Sequence, residues 1–436
     1  MIINSGCACI IADDLTGAND SSLQFHIHGV STQILLSENF DLQEAKTAQV
    51  LALSTESRNI PPHEAYEKIK HATQIMLEKV NPDYFFKKID STIRGNIAVE
   101  VLGMLEVLGW DAAIVVPAFP SEGRVTVGGY HLLKGVPVER TEMARDPYSP
   151  IFESHVPTLL KKEVGEEWEN LIASIDLKDV MQGAGPILKK LNGFIADGKK
   201  LIVADAVSTT DIEQILLAMN KSDYKILPVG TAAAARCLSD MWFSQVNPDG
   251  EYTFLPALPK LVISGSATEI TASQIRALEQ SDDFDENTLF VKPDLETIVN
   301  GVSDELVERI VGNLVQSNIV IVHTSNLVSK FDGFSDTSFD AELTKDKLAN
   351  MITDFLAELT KRVVEQKPVL LVLLGGETSY KCCRAIGASH LELKDEVSPA
   401  IALSLAPNNR WIVTKSGNLG NTNTLIDILK YLESHE

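Results

Sequence analysis

Basic residues are scarce in this chain: 38 Lys and Arg stand against 60 Asp and Glu, a formal net charge of −22. Nucleic acids and anionic membranes need a basic footprint, so neither is expected as a partner. Long hydrophobic runs are missing as well. The longest, Pro368 to Leu374, meets Gly375-Gly376 well short of the roughly 20 residues that span a bilayer. The N-terminus has no basic n-region and reaches Asp13-Asp14 too soon for a signal peptide, which makes the cytoplasm the expected location. Five cysteines in 436 residues are too few for a disulfide framework. Cys7 and Cys9 lie on an apolar strand-like run, and His26 and His28 would stand about 200° apart on a helix, so no metal site is read from them. Cys382-Cys383 reads as the apolar side of a helix. Nucleotide signatures of the G-x-x-x-x-G-K-[ST] and strand-linked G-x-G-x-x-G kinds are absent too.

What remains is an ordinary globular composition, 44% hydrophobic with a mean hydropathy of +0.04. The length predicts two domains of about 200 residues each. In the first part, apolar strand-like runs at Ala8 to Ala12, Val50 to Leu53, Tyr84 to Phe86, Ala112 to Val116, Lys200 to Ala204 and Lys225 to Pro228 alternate with amphipathic stretches. Two of those stretches are Pro62 to Lys79 and Asn96 to Leu108. This alternation predicts βαβ units and a mostly parallel sheet. Pro117 to Pro157, rich in Gly and Pro, reads as a lid or hairpin insertion over the strand ends. The turn and prolines between Asn247 and Pro259 mark a linker. The boundaries are thus 1–246, 247–259 and 260–436. A second alternation follows, with strands at Lys260 to Ile263, Asn318 to Val322, Val369 to Leu374 and Trp411 to Thr414. Its helices read at Thr268 to Glu279, Leu343 to Glu365 and Thr424 to Ser434. The fold class is therefore α/β, two domains each with a mostly parallel or mixed sheet flanked by helices, and an active site expected in the cleft between them.

Two strand ends in the first part carry chemistry that a buried run does not need. One follows Ala12 with Asp13, Asp14, Thr16, Gly17, Asn19 and Asp20; the other is Lys87-Lys88-Ile89-Asp90-Ser91-Thr92-Ile93-Arg94-Gly95-Asn96. In open α/β sheets ligands bind outside the carboxyl ends of the strands. Against an acidic background, Lys87, Lys88 and Arg94 form a local reader for a small anion. Adjacent Asp13 and Asp14 point to opposite sides; one faces a ligand while the other caps the next helix through Thr16 and Gly17. Their spacing is wrong for an aspartyl-phosphate phosphatase, whose two aspartates are separated by one residue. Arg58, after the run from Val50, is either a surface arginine paired with Glu56 or a planar fork for a carboxylate. In the second half the strand ends are small and polar: Ser264-Gly265-Ser266, His323-Thr324-Ser325, Gly375-Gly376-Glu377-Thr378 and Lys415-Ser416-Gly417-Asn418-Leu419-Gly420. Glycines allow close backbone approach, and helix-start N–H groups with Lys415 favour phosphate oxygens.

These motifs, in this order over nearly the whole length, resemble the four-carbon acid sugar kinase family. Ile10 to Asp20, Ser54 to Arg58 and Lys87 to Asn96 resemble its substrate-binding domain. Ser264 to Thr268, Gly375 to Thr378 and Lys415 to Gly420 resemble its nucleotide-binding domain. The resemblance implies phosphorylation of the terminal hydroxyl of a four-carbon sugar acid with ATP and Mg²⁺. Members acting on 3-oxo-tetronates carry a junction closer to C-S-T-F-D-S-T-x-x-G-N, so this junction resembles those of the D-threonate or D-erythronate kinases, and of these two D-threonate is the expected substrate. By the same resemblance, Asp13, Asp14, Arg58, Lys87, Lys88, Ile89, Asp90, Ser91 and Arg94 bind the sugar acid. Asp90, or else Asp13 or Asp14, orients or deprotonates its hydroxyl. Ser264, Ser266, Gly375, Gly376, Glu377, Thr378, Lys415, Gly417, Asn418 and Gly420 hold ATP. No protein metal ligands are expected, and a homodimer is admissible. A non-catalytic sensor of sugar acid and nucleotide, or a metal-dependent phosphatase, would be the rival classes.

Overall fold

The computed structural model describes residues 6–38, 40, 48–146, 149–243, 253–282, 288–315, 318–325, 327 and 345–436. The chain divides into two compact units, Met1–Pro248 and Asp249–Glu436. Residues 247–252 of the expected linker lie outside the described residues.

The first unit is built on eight parallel strands: β1 (Ala8–Ala12), β2 (Thr32–Leu35), β3 (Val50–Ser54), β4 (Tyr84–Lys88), β5 (Ala112–Val116), β9 (Ile172–Ile175), β10 (Leu201–Ala204) and β11 (Ile226–Gly230). Their order is β2-β3-β1-β4-β11-β5-β10-β9. Between β5 and β9 a small antiparallel sheet forms from β6 (Arg124–Val127), β7 (Tyr130–Leu133) and β8 (Val136–Pro137). The connecting helices are α1 (Leu15–His26), α2 (Pro62–Lys79), α3 (Ile97–Leu108), α4 (Val156–Val164), α5 (Leu177–Val180), α6 (Ala184–Ala196), α7 (Thr209–Asn220) and α8 (Ala232–Trp242). Strands covered on both faces read as continuous apolar runs, which explains why β1, β3 and β5 were visible in the sequence. Cys9, Ile11, Leu51, Leu53, Phe85 and Ile89 share one core with Ile69 and Met76 of α2 and Val101 and Met104 of α3. Residues between them in each strand turn to the opposite face, where α1 packs on α8 and β1.

Strand β4 is two residues longer than its apolar run, so Lys87 and Lys88 belong to the strand rather than following it. Alternation then sends the two lysines to opposite faces. β2 and β9 are four-residue strands whose sequences gave no alternation to read, and strands at Thr288–Val291, His390–Ser398 and Ile401–Ala406 were likewise not anticipated. All five cysteines are free, and Cys9, Cys382 and Cys383 are buried.

The second unit has seven strands: β12 (Lys260–Ser264), β13 (Thr288–Val291), β14 (Ile319–His323), β15 (Leu370–Leu374), β16 (His390–Ser398), β17 (Ile401–Ala406) and β18 (Arg410–Lys415). Their order is β13-β14-β12-β15-β18-β17-β16; the first five are parallel, and β17 runs antiparallel to both β18 and β16. Its helices are α9 (Glu269–Glu279), α10 (Leu295–Asn300), α11 (Asp304–Asn313), α12 (Lys345–Gln366), α13 (Gly376–Ala385) and α14 (Thr424–Ser434). Among the described residues no helix is long and apolar enough to cross a membrane.

Candidate active site

In the first unit, β1 pairs with β3 on one side and β4 on the other, and Ala12, Ser54 and Lys88 share one level of the register. The chain therefore leaves the sheet at Asp13, Thr55 and Ile89 side by side. This is the point where strand order reverses, the place where open sheets bind ligands. Asp14 caps α1: its carboxylate accepts from Gly17 N at 2.8 Å and from Thr16 Oγ1 at 2.6 Å. That capping role is the one the sequence anticipated.

Arg58 is not the surface partner of Glu56. Its Nε and Nη2 donate to Asp13 at 2.7 and 3.0 Å, and its Nη1 donates to Asp14 at 2.7 Å. Asp90 lies 3.7 Å from the same guanidinium. The fork expected to face a substrate carboxylate is thus taken up by two protein carboxylates. Burial pushes the Asp13 carboxyl up, but the Arg58 charge and hydrogen bonds outweigh it and leave the group below its ordinary value. Asp90 behaves in the same way and more strongly: Arg94 grips it through Nε and Nη2, and Thr92 donates from both backbone and hydroxyl. Against burial, these partners hold Asp90 well below the usual carboxylate range. An acid so stabilised orients a hydroxyl well and holds a proton poorly. Arg94 also binds Asp146 at 2.7 Å, so it too is engaged.

The loop that carries these groups is strained. Ile93, buried and β-branched, sits at φ 59°, an outlying conformation for such a residue. Gly95 at φ 94° needs to be glycine, because a Cβ would come within 3.0 Å of Arg58 Cγ and 3.4 Å of Asp13 Oδ2.

The two lysines have separate surroundings. Lys87, whose side chain is 0% exposed, pairs with Glu100 of α3 at 2.7 Å and donates to the Lys88 carbonyl. Lys88 points to the α1 face, donates to the Ile89 carbonyl at 2.8 Å, and forms no ion pair with any described residue. A Cβ added to Gly17 would meet Lys88 Nζ at 3.0 Å, so the amine lies directly against the start of α1. The cluster of three cations expected to read an anion therefore reduces to one lysine with donors to spare. Ile89 is buried with its N–H on the Gly230 carbonyl, and Ser91 presents its carbonyl to His131 Nε2 at 2.9 Å. Burial lowers His131 to about 4, and a carbonyl only accepts, so the neutral ring carries its proton on Nε2.

Two further polar groups stand near this point: Asp20, the last residue of the polar cluster that follows β1, and Arg124, which was not singled out from the sequence. Asp20 Oδ1 and Arg124 Nε are buried without a hydrogen-bond partner among the described residues. Burial raises Asp20 to about 6, a rise that Lys88 and Arg124 oppose. Arg124 lies in the Gly- and Pro-rich insertion, where no strand pattern marks it.

In the second unit, Ser264, His323, Leu374 and Lys415 end four adjacent parallel strands on one level. Gly375 N donates to the Lys415 carbonyl at 2.8 Å, and Gly375 precedes α13 at φ 107° without a side-chain cap. The first N–H groups of α13 are thus left for a ligand. Gly417 passes so close to Ser266 that a Cβ there would lie 2.6 Å from the hydroxyl, and its carbonyl accepts from Thr268 and Thr271. Lys415 is fully buried, donates to the Ser416 carbonyl and has no carboxylate partner among the described residues. Burial lowers it to about 7. Ser264 Oγ is buried without a hydrogen-bond partner among the described residues. A buried amine, an orphan hydroxyl and uncapped helix N–H groups at glycine loops fit a polyphosphate. Glu377, Thr378, Asn418 and Gly420 flank this row; Thr378 is buried against Gly265, and Gly420 at φ 86° packs on Thr424. No group of three or more His, Cys, Asp or Glu suited to a metal occurs among the described residues.

Residues 8–238 match the model of a sugar-binding N-terminal domain, and residues 261–425 match that of a nucleotide-binding C-terminal domain. The chain is 30% identical to a D-erythronate kinase of Heliobacterium modesticaldum, over 97% of this chain and 96% of that one. It is 30% identical to a D-threonate kinase of Salmonella typhimurium, over 97% and 98%. A crystal structure of a Haemophilus influenzae protein superposes with a TM-score of 0.70 at 21% identity, covering 98% of this chain and 99% of that one, a likeness of fold.

Proposed function

Since the chain belongs to the four-carbon acid sugar kinase family and is a sugar-acid kinase, we propose that it transfers the terminal phosphoryl group of ATP to the 4-hydroxyl of D-threonate. The observation that carries this reading is the meeting of Asp13, Arg58, Lys88 and Asp90 at the ends of β1, β3 and β4, inside the sugar-binding match. The Lys87-Lys88-Ile89-Asp90 junction departs from the pattern of the 3-oxo-tetronate members, which favours an aldonic acid. D-Erythronate, which differs from D-threonate only in configuration at C2, is the nearest competitor.

In this reading Asp90 and Asp13 stay ionised and fixed by Arg94 and Arg58, and they accept hydrogen bonds from the substrate hydroxyls. Their role is to aim the attacking 4-hydroxyl; phosphoryl transfer is mainly positioning and charge neutralisation. Lys88 supplies positive charge for the sugar acid. On the nucleotide side Ser264, Lys415 and the N–H groups at Gly376 and Glu377 would hold the phosphates, with Gly417 and Gly420 leaving room for them. ATP with Mg²⁺ supplies the phosphoryl group and neutralises its oxygens.

An ADP-release assay over D-threonate, D-erythronate, L-threonate and 3-oxo-tetronates tests the proposal. D-Threonate should give the highest kcat/KM. A higher value for D-erythronate would replace the substrate, and no turnover of any tetronate would sink the kinase reading for these acids. Asp90→Asn should lower kcat far more than ATP affinity.

A further inference from the structure

The site as described leaves one question of charge. A tetronate brings a carboxylate, yet Arg58, Arg94 and Lys87 already face protein carboxylates. Among the cations at the three strand ends, Lys88 alone has donors to spare. The small antiparallel sheet supplies a second cation. Its β6–β7 turn, Gly128-Gly129, has both glycines at positive φ and both N–H groups on the Asp205 carboxylate at 2.6 and 2.9 Å. An antiparallel bridge from Thr126 to Ala206 fixes β6 further.

Arg124 pairs with Leu133 and Thr126 with His131, and alternate residues of a strand share a face. Arg124 therefore lies on the face from which His131 reaches the Ser91 carbonyl, after accepting from Thr126 through Nδ1. Its Nε is buried with no partner, and it makes no ion pair with any described residue. Across from it, Asp20 stands three residues after Gly17, on the same side of α1 that Lys88 Nζ touches. Asp20 Oδ1 is the matching orphan acceptor.

A cation with an unused donor and a carboxylate with an unused acceptor, flanking a lysine amine, are complementary to a carboxylate next to a hydroxyl. We propose that Arg124 and Lys88 bind the carboxylate of the sugar acid and that Asp20 accepts a hydrogen bond from its 2-hydroxyl, making this trio the determinant of the α-hydroxy-acid end and of C2 configuration. The inference rests on the sugar-acid reading above. It also gives the insertion between β5 and β9 a function, as the carrier of Arg124.

The experiment measures binding of D-threonate, D-erythronate and D-threonamide by calorimetry, without nucleotide, and kcat/KM for the two acids. It compares the full-length protein with Arg124→Gln, Arg124→Lys and Asp20→Asn, each checked by thermal unfolding. Loss of a charge-assisted bond weakens D-threonate by about 10- to 100-fold in Arg124→Gln. The preference for D-threonate over the amide should collapse with it, and Arg124→Lys should restore part of both. In Asp20→Asn the ratio of kcat/KM between D-threonate and D-erythronate should move toward one, a readout that a merely structural role would leave in place. If Arg124→Gln fails to fold, Arg124→Lys with Asp20→Asn decides. D-Threonate affinity, amide preference and C2 preference within about twofold of wild type in the folded variants would overturn the assignment. Failure of the wild-type protein to bind or turn over any tetronate would overturn the sugar-acid reading instead, so the two failures are distinct.

Discussion

Replacing Lys87 by Met should destabilise the first unit severely, and also replacing Glu100 by Leu should restore most of the loss. Lys87 Nζ and Glu100 Oε2 are 2.7 Å apart, with side chains 0% and 2% exposed. Glu100 Oε1 has no partner of its own. Burial holds Glu100 above its ordinary value, and Lys87 offsets that only in part, so the carboxylate depends on the ammonium. Removing one member of such a pair costs about 3–5 kcal/mol, whereas exchanging both for apolar groups of similar volume is close to neutral. For a unit of this size each kcal/mol moves the midpoint by about 2–4 °C, so Lys87→Met should lower it by roughly 6–20 °C. Scanning calorimetry of the full chain is the assay, because the two units can unfold as separate transitions. A drop below about 2 °C, or a double variant no better than the single one, would refute the reasoning. Lys87 would then not be the buried counter-ion described here.

Lys415 supplies a second test. With its amine lowered to about 7 by burial, roughly nine-tenths of it is neutral one pH unit higher. Phosphate binding should then draw in close to one proton per nucleotide, measured by calorimetry in buffers of different ionisation enthalpy; uptake unchanged in Lys415→Met would reject the assignment. Glu163 accepts from Ala98 N at the start of α3, has an orphan Oε1, and is raised by burial from 4.5 to about 8. Its folded value lies above its unfolded one, so its contribution to stability is complete below about 4.5 and disappears as pH rises through about 8. The midpoint of the wild type should therefore fall across that window relative to Glu163→Gln, and parallel curves would contradict it. Gly17→Ala gains up to about 1 kcal/mol of helix propensity, but its Cβ would lie 2.6 Å from Asp14 Oδ1 and 3.0 Å from Lys88 Nζ. Sugar-acid KM should rise about tenfold, while the melting midpoint changes by only a few degrees; an unchanged KM would mean that Lys88 is not placed by this contact.

Much of the scaffold is legible from the sequence because a parallel sheet covered on both faces needs continuous apolar strands, and β1, β5 and β15 are such runs. Acid and base at their ends mark where the sheet stops. What the sequence hides is the partner of each charge. Lys87 and Lys88 are adjacent in sequence and look like one cationic patch, but strand alternation sends one to Glu100 and the other to Gly17. Arg58 looks like a free fork until the register of β1 with β3 brings Asp13 and Asp14 to it across 44 and 45 residues of chain. Asp20 closes the polar cluster after β1 and then sits on an ordinary helix, whereas Arg124 lies in a segment without periodicity and has no local signature. Their openness to a ligand shows only in what they lack among the described residues, a hydrogen-bond partner for a buried atom. An arginine held by two carboxylates organises a site, whereas an arginine buried with an empty donor has room for a ligand. By that distinction Arg58 and Arg94 build the frame that fixes Asp13 and Asp90, and Arg124 with Lys88 remains to meet the anion.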